Sequence, residues 1–163
     1  MRLAGLVGLA WAALLVAAPE PAAAIDLHAY WDDRCQSCHG DAGPFARRTL
    51  ALRDGRLVGR HHVDDLATFL RSHVLADDLV APVTAMLAAQ VTTPPRYAEH
   101  CRSCHGSAAA FVRGSLVERD GVLVARASGR PVADVLARHG GLTPADQAIV
   151  VQTLARVRRE VGG

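Results

Sequence analysis

The sequence predicts a mostly α-helical protein made of two tandem helical units. Three observations lead there. First, the stretch from Trp31 to His73 aligns without a gap with the stretch from Tyr97 to His139, so one unit is built twice. Second, each stretch ends in a segment with apolar residues at helical spacing, VDDLATFLRSH and RPVADVLARH. Third, LTPADQAIVVQTLARVRREV carries the signals of a helix start. Thr143 is placed as N-cap, Pro144 as the first helical residue and Asp146 in the first turn.

Residues 1–24 read as a signal peptide. A basic MR precedes the apolar LAGLVGLAWAALLVAA, then come Pro19, Pro21 and a small-residue site at Ala22-Ala23-Ala24. The rival reading is an uncleaved anchor, but the apolar run is shorter than the ~20 residues a spanning helix needs. Cleavage near Ala24 would start the mature chain near Ile25 and leave no stable membrane span. Residues 25–163 suffice for one ordinary domain or two very small ones. Very small domains need a staple, and with aromatics at 4% there is little large side-chain surface for a core.

Repeat 1 is assigned to 25–92 and repeat 2 to 96–163, with the seam at TTPPR, where two prolines stop the preceding helix. Each repeat reads as helix, loop, helix, helix. IDLHAYWDDRCQSCH forms a first helix ending at the cysteines. RDG at 53–55 and 119–121 signals a turn, whose flanks TLAL and GRLVG are two short strands or an extended loop. ADDLVAPVTAMLAAQV is the weaker counterpart of the final helix, with Pro82 in its first turns or kinking it.

The net charge is +2, all eighteen basic residues are arginine, and positive and negative residues are interspersed without a basic run. That argues against nucleic acid as a partner.

The chemistry sits in CQSCH at 35–39 and CRSCH at 101–105. Both are C-x-x-C-H, the attachment signature for c-type haem. Two thiols about one helical turn apart can meet the two vinyl groups of a porphyrin, and the following histidine then offers its imidazole to the iron. One such pentapeptide arises by chance; two at equivalent places of a repeat, in a chain with no other cysteine, are specific. A zinc ribbon would need its cysteine pairs far closer together and leaves His39 and His105 unexplained. A redox C-x-x-C belongs on a βαβ pattern, which is absent.

With these motifs the chain resembles the class I cytochromes c, as a tandem dihaem protein, over essentially all of 25–163. Trp31 and Tyr97 stand four positions before Cys35 and Cys101, where that family keeps the aromatic packing its first helix against its last. The resemblance implies two cytochrome c-like helical haem-binding units, two covalently bound haem c, and one-electron transfer in the periplasm with redox partner proteins. Cys35, Cys38, Cys101 and Cys104 would attach the haems, and His39 and His105 would be the proximal iron ligands.

The sixth ligand departs from the family, which supplies a methionine before the last helix. Repeat 2 has none, Gln152 standing where repeat 1 has Met86, and Met86 lies in an apolar helical stretch suited to core packing. Instead, His73 and His139 each lie 34 residues beyond the motif histidine of their repeat. A solvated helix-end histidine explains one such position but not its repetition, so His73 and His139 are the candidate distal ligands. Met86, His61 and His62 remain alternatives to His73 at haem 1. His28 and His100 read as structural. Arg47/Arg113, Arg53/Arg119 and Arg60/Arg126 are either partners of haem propionates or solvated surface.

The expected function is an electron carrier or electron-transfer subunit, not an enzyme. The alternative is a haem enzyme or gas binder, peroxidase-like, with one five-coordinate haem; a sensing or assembly module comes third.

Overall fold

The computed structural model describes residues 25–60, 64–73 and 75–162. The expected signal peptide, His61 and His62 lie outside them. The described chain is mostly helical, and its elements run through the same order twice. The first unit comprises α1 (Leu27–Arg34), α2 (Gln36–His39), α3 (Ala42–Thr49), β1 (Leu50–Arg53), β2 (Arg56–Gly59), α4 (Leu66–Ser72) and α5 (Asp77–Thr92). The second comprises α6 (Arg96–His100), α7 (Arg102–His105), α8 (Ala108–Ser115), β3 (Leu116–Arg119), β4 (Val122–Ala125), α9 (Val132–Leu136) and α10 (Pro144–Glu160).

Three sequence expectations need correction. The first helix does not run unbroken to the motif histidine. It breaks at Cys35 and again at Cys101, both with φ −119°, and a separate one-turn helix carries the rest of each motif. The segment after each motif is not a loop but a helix, α3 or α8. Pro44 hid α3, yet a proline in a first turn removes an N–H that has no helical acceptor there. In α8 the Ser107 hydroxyl accepts from the Ala110 N–H and supplies the cap. The third correction concerns register. Equivalent residues are 66 apart as far as His73/His139, but the last helices are capped by Ala76 and Thr143, and Leu75 and Leu142 are both buried beside those caps. Repeat 2 therefore holds one extra residue in its Gly140-Gly141 link. The structural counterpart of Met86 is Thr153, not Gln152.

The RDG segments are true hairpins. Arg53 pairs with Arg56, and Arg119 with Val122, across two-residue turns. Asp54 and Asp120 take φ 50° and 51°, Gly55 and Gly121 φ 73° and 74°. Two consecutive positive φ values define the Asp-Gly turn that matches strand twist.

Each unit has its own hydrophobic cluster. Trp31, Leu50, Leu57, Val83, Met86 and Leu87 centre the first. Tyr97, Val112, Leu116, Val150, Leu154 and Val157 centre the second. Trp31 and Tyr97 thus pack a first helix against a last helix in each unit. The expected cap of α10 is present: Thr143 Oγ1 accepts from the Asp146 N–H at 3.2 Å. Pro82 sits inside α5 and leaves the Asp78 carbonyl without its helical donor.

Polar contacts join the units. The Arg113 guanidinium grips Asp26 through two hydrogen bonds of 2.7 and 2.8 Å. Arg102 reaches Asp41 at 2.8 Å, and His28 meets Glu160 at 2.8 Å. Burial pushes the Asp26 carboxyl up, but the Arg113 hydrogen bonds, the Ala29 N–H and the nearby positive charge outweigh it and hold the pKa below the ordinary carboxylate range.

Asp26→Asn keeps an N-cap for α1 but breaks the charged clamp. Solvent screening at this partly exposed pair limits the expected loss to under about 1 kcal/mol. Because the folded pKa is lowered, the wild-type advantage is complete above about pH 4 and fades as pH falls through the lowered value. Denaturant unfolding of both proteins at pH 7 and at successively lower pH checks the size and its disappearance.

Candidate functional site

The break at Cys35 determines where the motif points. The Cys35 N–H still bonds the Trp31 carbonyl at 2.9 Å, while the Cys35 carbonyl accepts from His39 N–H at 2.9 Å and Cys38 N–H at 3.2 Å. Cys35 and Cys38 are thus set one turn apart, and His39 closes the same short helix. Unit 2 reproduces these bonds at Cys101, Cys104 and His105 with the same three lengths. Immediately after the histidine the chain reverses. Gly40 takes φ 70° and ψ −162°, Gly106 φ 71° and ψ −155°. Those angles are essentially closed to residues with a Cβ.

No disulfide links the four cysteines. Burial pushes the Cys35 thiol up, and burial together with Cys104 does the same to Cys101. In unit 1, Trp31 Nε1 donates to the Gly40 carbonyl at 2.9 Å and ties the first helix to the turn after His39. Tyr97 takes that place in unit 2, but its hydroxyl is buried and has no hydrogen-bond partner among the described residues. Burial, with Cys101 beside it, pushes its pKa up to about 12.

Phe45 and Phe111 pack against the motif histidines, with ring centroids 4.6 Å from His39 and 4.7 Å from His105. From the other side come His73 and His139. The His39 and His73 rings are 5.9 Å apart at 62°. The His105 and His139 rings are 5.8 Å apart at 66°. All four predicted histidines are therefore brought together in pairs, one pair per unit. Burial, then the neighbouring His73, lowers the His39 pKa and favours the neutral imidazole that ligates metals.

The arrangement fits a metal that brings its own planar donors. Metal–imidazole bonds are about 2 Å, so two imidazoles on opposite sides of one ion place their ring centroids roughly 6 Å apart. Among the described residues no group of three or more histidine, cysteine or acidic side chains could hold a bare ion. In unit 2 a cavity of about 400 Å³ contains Cys101, Cys104, His105 and His139 in its lining. Its other walls include Leu116, Leu136, Leu142 and Leu154, an apolar surface suited to a tetrapyrrole face.

The remaining candidates fall elsewhere. Met86 is 1% exposed within the core of unit 1. His28 is engaged by Glu160. Arg60 and Arg126 donate to the carbonyls of Arg47 and Arg113 at 3.0 and 3.2 Å. Arg47 donates to the Gln90 carbonyl at 3.3 Å, whereas Arg113 holds Asp26. Sequence reasoning missed Phe69, whose ring stacks on His73 at 4.8 Å and 21°. Its signal was present: Phe69 lies four residues before His73, one helical turn away. It also missed the Gln36–Asp41–Arg102 chain that ties the two attachment motifs to each other.

The chain matches no protein-family model, no curated protein and no solved structure. No helix among the described residues is long and apolar enough to cross a membrane.

Gly40→Ala and Gly106→Ala meet open space at the added Cβ, so their cost is backbone strain alone. Each is expected to destabilise its unit by about 1–3 kcal/mol. Denaturant unfolding checks this, with Gly114→Ala as a control, since its added Cβ also meets open space and its φ is not positive.

Proposed function

We propose that the chain is a dihaem c-type cytochrome that transfers single electrons, as a periplasmic carrier or as the electron-transfer subunit of a larger system. The observation that carries this reading is the twofold occurrence of one geometry. Each unit sets a C-x-x-C-H turn opposite a second histidine, with ring separations agreeing to 0.1 Å, at 5.9 and 5.8 Å. A solvated helix-end histidine has no reason to face a motif histidine twice at one distance.

Haem, when bound, supplies a one-electron ferric/ferrous couple. Cys35/Cys38 and Cys101/Cys104 would hold it, with His39 and His105 and their facing His73 and His139 as the candidate iron ligands. Phe45 and Phe111 fix the proximal ring planes. If both histidines of a pair are ligands, they would leave an iron no open position for substrate while still allowing electron transfer. That supports a carrier over the peroxidase-like alternative, which needs one five-coordinate haem. Paired imidazoles also lack the methionine that raises the potential of cytochrome c haems, so low potentials are expected.

Mass spectrometry of the exported protein is expected to show the polypeptide plus two haems. The ferric spectrum should be low-spin at both sites and lack the long-wavelength sulfur-to-iron band. His73→Ala and His139→Ala should each turn one haem high-spin, whereas Met86→Leu should leave the spectrum unchanged. A sulfur band that disappears in Met86→Leu would assign methionine, not His73, to the first haem.

A further inference from the structure

The two distal histidines face their partners alike but are held differently. His73 directly follows the last residue of α4. The Leu70 carbonyl accepts from both the His73 N–H at 3.1 Å and the Leu75 N–H at 3.3 Å. Phe69, an exposed residue, stacks on the His73 ring. His139, by contrast, lies three residues past Leu136, the end of the five-residue α9. Its N–H bonds the Leu136 carbonyl at 3.2 Å, but no bond from Leu142 returns to that carbonyl. Val135 stands where unit 1 has Phe69, and His105 is the one aromatic ring in contact with His139 among the described residues.

The link that follows differs too. Unit 2 carries the extra residue there, as Gly140 and Gly141 with φ 90° and 60°. Two adjacent glycines give this link more backbone freedom than any other residue pair would. The wall beside His139 is made of Val132, Val135, Leu136 and Leu142. Such a surface accepts a small neutral molecule and offers an anion no partner.

We propose that His139, unlike His73, is a displaceable ligand, so that the second unit binds a diatomic gas in place of its distal histidine while the first stays closed. This rests on the haem reading above. The exchange would be a substitution without redox change: His139 would release its bond to the iron, the gas would take that position, and the imidazole would swing out on the Gly140-Gly141 link. Unit 1 would then be the constant electron carrier and unit 2 the gas-responsive one.

Carbon monoxide added to the dithionite-reduced dihaem protein tests this by its Soret spectrum. Wild type is expected to bind one carbon monoxide per chain, at a rate that levels off with gas concentration because departure of His139 limits it. His139→Ala should still bind one, without the plateau, and His73→Ala should bind two. Val135→Phe places a ring where unit 1 has Phe69, and should slow uptake by roughly three- to tenfold, the value of an aromatic pair. Phe69→Ala should open slow binding at the first haem, and its low-spin ferric spectrum reports that the fold is intact. Binding at neither haem, binding first at unit 1, a rate that never levels off, or rates unmoved in both ring variants would overturn the proposal. A chain whose mass lacks haem would instead overturn the cytochrome reading, before any gas is added.

Discussion

Two imidazoles held about 6 Å apart, their planes steeply inclined to each other, are the constraint that organises each unit. They come from sequence positions 34 residues apart, and nothing in the chain's local preferences brings them together. The intervening elements do. The one-turn α2 presents His39, the glycine after it reverses the chain, and α3 runs away along α5. The β1–β2 hairpin then turns the chain back through its Asp-Gly corner so that α4 can deliver His73 from the opposite side. Loop-closure entropy for such a path is met by burying Leu50 and Leu57 on the hairpin's inner side against Trp31, Met86 and Leu87.

Duplication alone would give two identical beads. The contacts that join them arise because equivalent positions have diverged. Ser107 caps α8, whereas its equivalent Asp41 leaves α3 without a side-chain cap and pairs with Arg102. Gln36, the equivalent of Arg102, steadies the same carboxylate at 3.1 Å. Arg113 reaches across to Asp26, while its equivalent Arg47 turns inward to the Gln90 carbonyl. One residue type at one position of the repeat therefore serves cohesion within a unit or cohesion between units. The choice is set by what the neighbouring copy presents.

This divergence also marks the limit of what the sequence made legible. The repeat, the cap of α10, the Asp-Gly turns and the pairing of His73 and His139 with the motif histidines were readable because each rests on local chemistry or on repetition. Helices α3 and α8 were not. Gly43 and Pro44 look like loop residues, and only tertiary contact with the last helix makes the segment helical. The strands were ambiguous because four residues are too few to show a period. The equivalence of Met86 with Gln152 failed because a single inserted residue after His139 shifts the last helix without disturbing the aligned region before it. The repeated arginines were noticed, but their partners are carbonyls and carboxylates distant in sequence. Repetition reveals that a side chain is used, not what it touches.

The second core shows how closely fold and site are joined. Tyr97, Leu116, Val132, Leu136, Leu142, Val150 and Leu154 belong to its hydrophobic cluster, and all of them also line the cavity that His105 and His139 share. The same side chains thus pack the unit with one face and wall the site with the other. With few aromatics available, Leu and Val build most of this shell, and a shell of that size supplies little stability by itself. On the proposed reading the group held between the histidines completes the core, so its binding free energy is also folding free energy.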